Sequence, residues 1–150
     1  MFILTASGQS KKPDLYNPQA DAKKEIADAV KKAKAENKHV LIQVGGNWWS
    51  WCIRFHKFVY EHEKVNSLMA DNYVYVMLNT GEEKKNLDIL ATLDYPQRFG
   101  YPVMVILDQE GKRIHTQNSV YLEKEKSYDE KTVVNFLKHW SPAAVDPKSY

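Results

Sequence analysis

Cys52 is the only cysteine in the chain. It closes the stretch Val44-Gly45-Gly46-Asn47-Trp48-Trp49-Ser50-Trp51-Cys52. A thiol can attack a disulfide, serve as a nucleophile or hold a soft metal, and in each case the thiolate is the working species. Disulfide exchange inside one site needs two sulfurs, one to attack and one to resolve the mixed disulfide. This chain has one, so an internal dithiol is excluded by counting. Cys52 and His56 stand four apart and share a face of a helix, which is enough to begin a metal site or a thiol–base pair. Two ligands do not make a set, and His39, His62, His115 and His139 stand at no spacing that completes one. The expectation is no metal, with His56 a helix-surface or partly buried ring. Gly45-Gly46 is explained by a turn rather than by a phosphate loop, and no Ser–His–acid spacing appears. No cofactor is implied.

The elements that must hold these residues follow from patterning. At 150 residues the chain suits a single domain around one core. A formal charge of +2, with its lysines spread along the sequence, gives no basic patch for nucleic acid. No apolar run is long enough to span a membrane. Nothing in the pattern sets an oligomeric state. Met1-Phe2-Ile3-Leu4-Thr5-Ala6-Ser7-Gly8 looks like the tail of a signal peptide, which would make the protein exported or periplasmic. The other reading is a frayed cytoplasmic terminus. Residues 1–16 read as a flexible arm or signal-peptide remnant, 17–141 as the domain and 142–150 as a loose tail.

Asn17-Pro18 is a helix-start signal, and Ala22, Ile26, Ala29, Val30 and Ala33 make one stripe of a helix that runs to about Glu36. Val40 to Val44 is a continuous apolar run, the pattern of a central strand covered on both faces. A helix follows from about Trp49 to Tyr60, with Cys52, Phe55, Val59 and Tyr60 expected to face inward. A short helix around Val65, Leu68 and Met69 leads to a second buried strand, Tyr73 to Leu78. Leu87 to Leu93 is helical, Pro102 to Leu107 is a third strand, and Asp108-Gln109-Glu110-Gly111 turns it into a fourth. The stretch 120–128 reads as a charged surface loop. Asp129 caps a last helix, which Ser141-Pro142 stops. Strand–helix–strand units followed by a hairpin imply an α/β fold with one mixed sheet flanked by helices.

Two local patterns give this order a family likeness. The first is the apolar strand running through Gly45-Gly46-Asn47-Trp48 into Trp49-Ser50-Trp51-Cys52. The second is Gly100-Tyr101-Pro102-Val103-Met104-Val105-Ile106-Leu107-Asp108 with Gly111-Lys112. Together they resemble the thioredoxin superfamily over roughly residues 20–140: a strand, a loop ending in Trp, a Cys-x-x-Cys at a helix start, then a cis-proline loop and a hairpin. The resemblance implies a thioredoxin fold with an N-terminal helix extension and a cis Tyr101-Pro102 bond.

Two registers fit the motif. In one, Trp49 takes the first cysteine's position and Cys52 is the second. In the other, Trp51-Cys52 is the family's Trp-Cys and Phe55 replaces the second cysteine. The first is favoured because it needs no insertion after the strand and keeps the spacing to Tyr60, Val65 and Tyr73. It implies a sheltered, inert Cys52, the catalytic remnant of the motif. Gln43 matches the position of the buried Asp of thioredoxin itself and cannot titrate.

The resemblance further implies that the backbone before the cis-proline, at Tyr101, can hydrogen-bond an extended chain. Trp48, Trp49, Trp51, Tyr101 and Pro102 are therefore the expected binding residues. The expected function is a redox-inactive or weakly active domain that binds a peptide or protein client at a Trp-lined mouth. The alternative is a monothiol thiol-disulfide oxidoreductase using Cys52 with an external thiol such as glutathione.

Overall fold

A computed structural model of the protein describes residues 15–150. The signal-peptide reading of residues 1–8 lies outside the described residues. The elements, in chain order, are α1 Ala22–Glu36, β1 His39–Gly45, α2 Ser50–Glu61, α3 Glu63–Asn72, β2 Tyr73–Asn79, α4 Leu87–Thr92, β3 Val103–Leu107, β4 Arg113–Asn118, the two-residue strands β5 Glu123–Lys124 and β6 Ser127–Tyr128, α5 Glu130–His139 and α6 Pro142–Val145. Short 3-10 turns at Pro96–Phe99, Ser119–Leu122 and Pro147–Ser149 complete them.

The main sheet has the order β2-β1-β3-β4. β1 pairs parallel with β2 and antiparallel with β3, and β3–β4 is the expected hairpin. β1 is thus central, and every residue in it is buried. Side chains alternate across a strand, so β1 feeds two cores. Val40, Ile42 and Val44 join α1, α4, Val76 and Leu78 on one face. Leu41 joins α2, α3, α5, Met104 and Ile106 on the other. Gln43, two residues along from Leu41, falls on the α2 face. That single parity decides which polar group meets the Cys52 helix. Among the described residues no helix is long and apolar enough to cross a membrane.

Local departures from the expected boundaries have physical causes. Helix α1 starts four residues after Asn17-Pro18. Asn17 instead closes a turn by accepting from Gln19 N–H at 2.9 Å. Asp21, extended at φ −82°, is the actual cap and accepts from Lys24 N–H at 3.1 Å. The helix ends where Asn37 turns left-handed at φ 54°, a conformation Asn tolerates. In α2, Phe58 packs inward and Tyr60 stays 57% exposed, the reverse of the expected stripe at that turn. The charged stretch after Val120 is an ordered hairpin whose last residue, Tyr128, is buried against Trp51 and Phe55. The stretch expected to be a loose tail carries α6 and a 3-10 turn. Ser149 Oγ and Tyr150 OH there donate to the carbonyls of Ala143 and Ala144.

The most consequential departure is at the other end. The arm was expected to reach residue 16, but Tyr16 is fully buried. Asn47 holds its backbone at two points, accepting from Tyr16 N–H at 2.8 Å and donating to Tyr16 C=O at 2.7 Å.

Phe55 lies at the centre of the α2-side core and meets Tyr128 edge-to-face at 5.0 Å. Phe55→Ala is expected to cost about 3–5 kcal/mol of stability, read as a lower urea midpoint at unchanged slope.

Candidate functional site

β1 ends at Gly45, and four residues carry the chain over the end of the sheet to α2. Trp49 is the N-cap of that helix, extended at φ −97° and ψ 107°. It offers no side-chain acceptor to the helix N–H groups, and no acidic residue stands in the first turn. Its indole is half-buried and lies on Tyr101, ring centroids 4.3 Å apart with a 36° tilt. Tyr101 is half-buried, Pro102 is buried, and the peptide bond between them is cis. The first helical turn therefore abuts the cis-proline loop through one aromatic pair.

Cys52 is one turn in and 0% exposed. A methyl group on Gly45 would overlap its sulfur and stand 2.9 Å from the Tyr16 hydroxyl, so the strand end approaches α2 only because residue 45 has no side chain. Gly46 is equally constrained, since a Cβ there would sit 2.7 Å from the Trp49 ring. The sulfur's polar neighbours are the Gly46 backbone and the Tyr16 hydroxyl.

Gln43 organises this pocket. Its amide nitrogen donates to Tyr16 Oη at 2.7 Å and to the Cys52 carbonyl at 2.9 Å. Its amide oxygen accepts from Tyr75 OH. Both amide protons are used, and the Tyr16 hydroxyl proton is left to face sulfur. Burial pushes the Cys52 thiol up from its ordinary value, with hydrogen bonds from Gly46 and Tyr16 only partly offsetting it. Burial raises Tyr16 and Tyr75 as well. The cluster is thus a neutral hydrogen-bonded network at physiological pH.

The other expected site residues separate. Trp48 is 67% exposed and lines a cavity of about 550 Å³ with Trp49, Gly81, Glu82 and Glu83. Trp51 is half-buried. It packs edge-to-face on Tyr128 at 5.5 Å, under the Arg54 guanidinium at 4.5 Å, and its carbonyl accepts from Tyr128 OH. The structure thus joins Trp49 to Tyr101 and to Trp48, but commits Trp51 to the side of the α2 core. His56 packs on Tyr60 and Tyr75, at 4.6 and 5.9 Å, and desolvation lowers its pKa. No group of three His, Cys, Asp or Glu side chains among the described residues converges as metal ligands.

The thioredoxin-like family profile matches residues 21–109, more than half of the chain. The chain belongs to the thioredoxin-like family. Among solved structures, the disulphide isomerase from Xylella fastidiosa Temecula1 is similar over 83% of this chain and 94% of its own, at 23% identity and a TM-score of 0.73. That likeness is one of fold. A DsbH oxidoreductase is similar over 75% of this chain and 78% of its own, at 17% identity and a TM-score of 0.48. A thioredoxin-fold protein from Helicobacter pylori is similar over 69% of this chain and 82% of its own, at 18% identity and a TM-score of 0.45. A comparison with curated proteins finds no match.

Within this thioredoxin-like domain, Tyr16 and Tyr75 are the site residues that the motif reading missed. Tyr75 carried a signal, because it lies two residues from Tyr73 on a strand whose partner parity is set by Leu41 and Gln43. Tyr16 carried only the weak one of an aromatic residue just ahead of a turn.

The contact between Gly45 and sulfur is testable as a coupling. Gly45→Ala is expected to cost about 1–3 kcal/mol by overpacking. Combining it with Cys52→Ala should recover part of that cost in a double-mutant cycle by urea denaturation. The raised thiol pKa adds a pH signature. The unfolded chain ionises first as pH rises, so this contribution is complete below the unfolded thiol's pKa and is lost by the time pH passes the folded one. Cys52→Ala should flatten the early part of the alkaline decline in stability.

Proposed function

We propose that this thioredoxin-like domain binds an extended peptide or protein segment beside Trp49 and Tyr101, and does no dithiol chemistry. The observation that carries the reading is the burial of the lone sulfur one turn below Trp49, at a helix start whose first position holds an indole. An attacking thiol must be ionised and reachable along the line of the disulfide it cleaves. Cys52 is neither: desolvation favours its proton, and Gly45, Tyr16 and the helix enclose the sulfur. The monothiol reading would require that sulfur to be uncovered, and nothing in the geometry favours it.

Support for binding comes from what lies around Trp49. The indole, the Tyr101 ring and the exposed Trp48 offer aromatic area at the end of the sheet, next to the loop whose backbone, by family resemblance, pairs with a bound chain. Aromatic anchors of this kind dominate interface energetics.

Four measurements test the reading. A thiol reagent should label native Cys52 far more slowly than the urea-unfolded chain. Fast native labelling with an apparent pKa below that of an ordinary cysteine would overturn the proposal in favour of the monothiol enzyme. The parent should add nothing to insulin reduction by dithiothreitol, whereas Trp49→Cys should restore a pair that oxidises to an internal disulfide in the folded domain. Binding of an alkylated, unfolded polypeptide, followed by tryptophan fluorescence, should weaken at least about tenfold in Trp49→Ala.

A further inference from the structure

Among the described residues, the cavity beside Trp49 has two kinds of wall. Trp48 and Trp49 supply indole faces, and the turn after β2 supplies Gly81, Glu82 and Glu83, around a volume of about 550 Å³. That size lies within the range of small-ligand and side-chain pockets.

The acidic wall is held in place. Asn79, itself buried, donates from Nδ2 to Glu83 Oε1 at 3.0 Å and accepts from Gly81 N–H at 3.1 Å. Asn86 donates to the Asn79 carbonyl at 2.7 Å, and Thr80 Oγ1 closes the turn on the Lys85 carbonyl at 2.8 Å. Both Glu83 oxygens lie 2.8 Å from where a Cβ on Gly81 would stand, so the absence of a side chain at 81 lets the carboxylate rest against the backbone. Neither Glu82 nor Glu83 is in an ion pair with a described residue. The neighbouring Lys84 ammonium donates to the Ala20 carbonyl at 2.9 Å.

We propose that this cavity is a recognition pocket for a lysine or arginine side chain of the bound polypeptide. The inference rests on the peptide-binding reading above and names the residue class that such a peptide carries. Aromatic faces attract cations through the ring quadrupole, and a carboxylate adds a charge-assisted hydrogen bond. A long cationic side chain matches both, with its aliphatic stem along the Trp49 indole and its head at the acids. An apolar side chain would strip water from the carboxylates without pairing them, and an acidic one would face like charge. Trp49 belongs both to the pocket and to the Tyr101 stack, so a chain lying along the cis-proline loop has a side-chain pocket next to it.

The test uses three synthetic peptides, identical except for a central lysine, norleucine or glutamate, titrated against the full chain at low salt. The lysine peptide is expected to bind about tenfold tighter than the norleucine peptide, and the glutamate peptide weakest. The double variant Glu82→Gln/Glu83→Gln, checked for unchanged circular dichroism, should abolish the lysine preference, bringing the lysine and norleucine affinities together. Equal binding of the lysine and norleucine peptides by the parent would overturn the pocket and leave the peptide-binding reading intact. So would a preference that survives the double variant. No binding by any of the three would overturn the peptide-binding reading, and the pocket with it.

Discussion

Three chain segments meet on the side chain of Gln43. Its two amide protons go to the Tyr16 hydroxyl and the Cys52 carbonyl, and its oxygen takes the Tyr75 proton. A buried amide is tolerable only when its groups are paired, and here the partners come from the segment before α1, the first turn of α2 and the edge strand β2. The network fixes how deep the helix start sits on the sheet. It also keeps the site uncharged. A carboxylate at this position would have to be buried as a charge or hold a raised pKa, either of which would give the sulfur a titrating neighbour. The amide gives it none. Gly45 belongs to the same constraint, because the space a side chain would need is already filled by sulfur and the Tyr16 hydroxyl.

The indole at the head of α2 changes what that helix terminus can do. Free N–H groups and the helix dipole favour negative charge there, which is why a cysteine at this position ionises readily. Trp49 brings neither an acid nor a capping acceptor. It covers the terminus with a ring that is itself held against Tyr101. The field remains, but the only thiol lies a turn away, in a setting where desolvation outweighs the hydrogen bonds that would favour its ionised form. The electrostatic part of the family's chemistry has thus been separated from the nucleophile.

Much of the architecture was legible because it depends on patterns that local residues control. The β1 run is apolar at successive positions because both faces are covered, and the structure makes it the central strand. The Asp108–Gly111 turn closes as read, with Gly111 at φ 80° and the Lys112 carbonyl accepting from Asp108 N–H. What was not legible depends on distant partners. Tyr16 is buried through pairs with Asn47 and Gln43, 31 and 27 residues away. Tyr128 is buried through Trp51, 77 residues away. Neither has a periodic neighbourhood to announce it, so an isolated aromatic in a polar stretch read as arm or loop. The packing of Trp51 was hidden for a related reason. Its position in the motif pointed to the mouth, while its ring lies edge-to-face on Tyr128 at the end of the hairpin.

The pieces that could bind a chain do not depend on the pieces that would do redox chemistry. The Tyr101–Pro102 loop is anchored by β3, every residue of which is buried. The acidic turn is anchored by Asn79 at the end of β2. Both are carried by strands flanking β1, so neither needs a thiol at the head of α2 to hold its shape. A tryptophan there does more than leave them standing, because its ring touches Tyr101 on one side and walls the acidic cavity on the other. The indole at position 49 thus joins two separate features into one continuous surface. On the proposed function, loss of exchange chemistry and gain of contact area are two effects of one side chain, and a cysteine restored at position 49 would trade the second for the first.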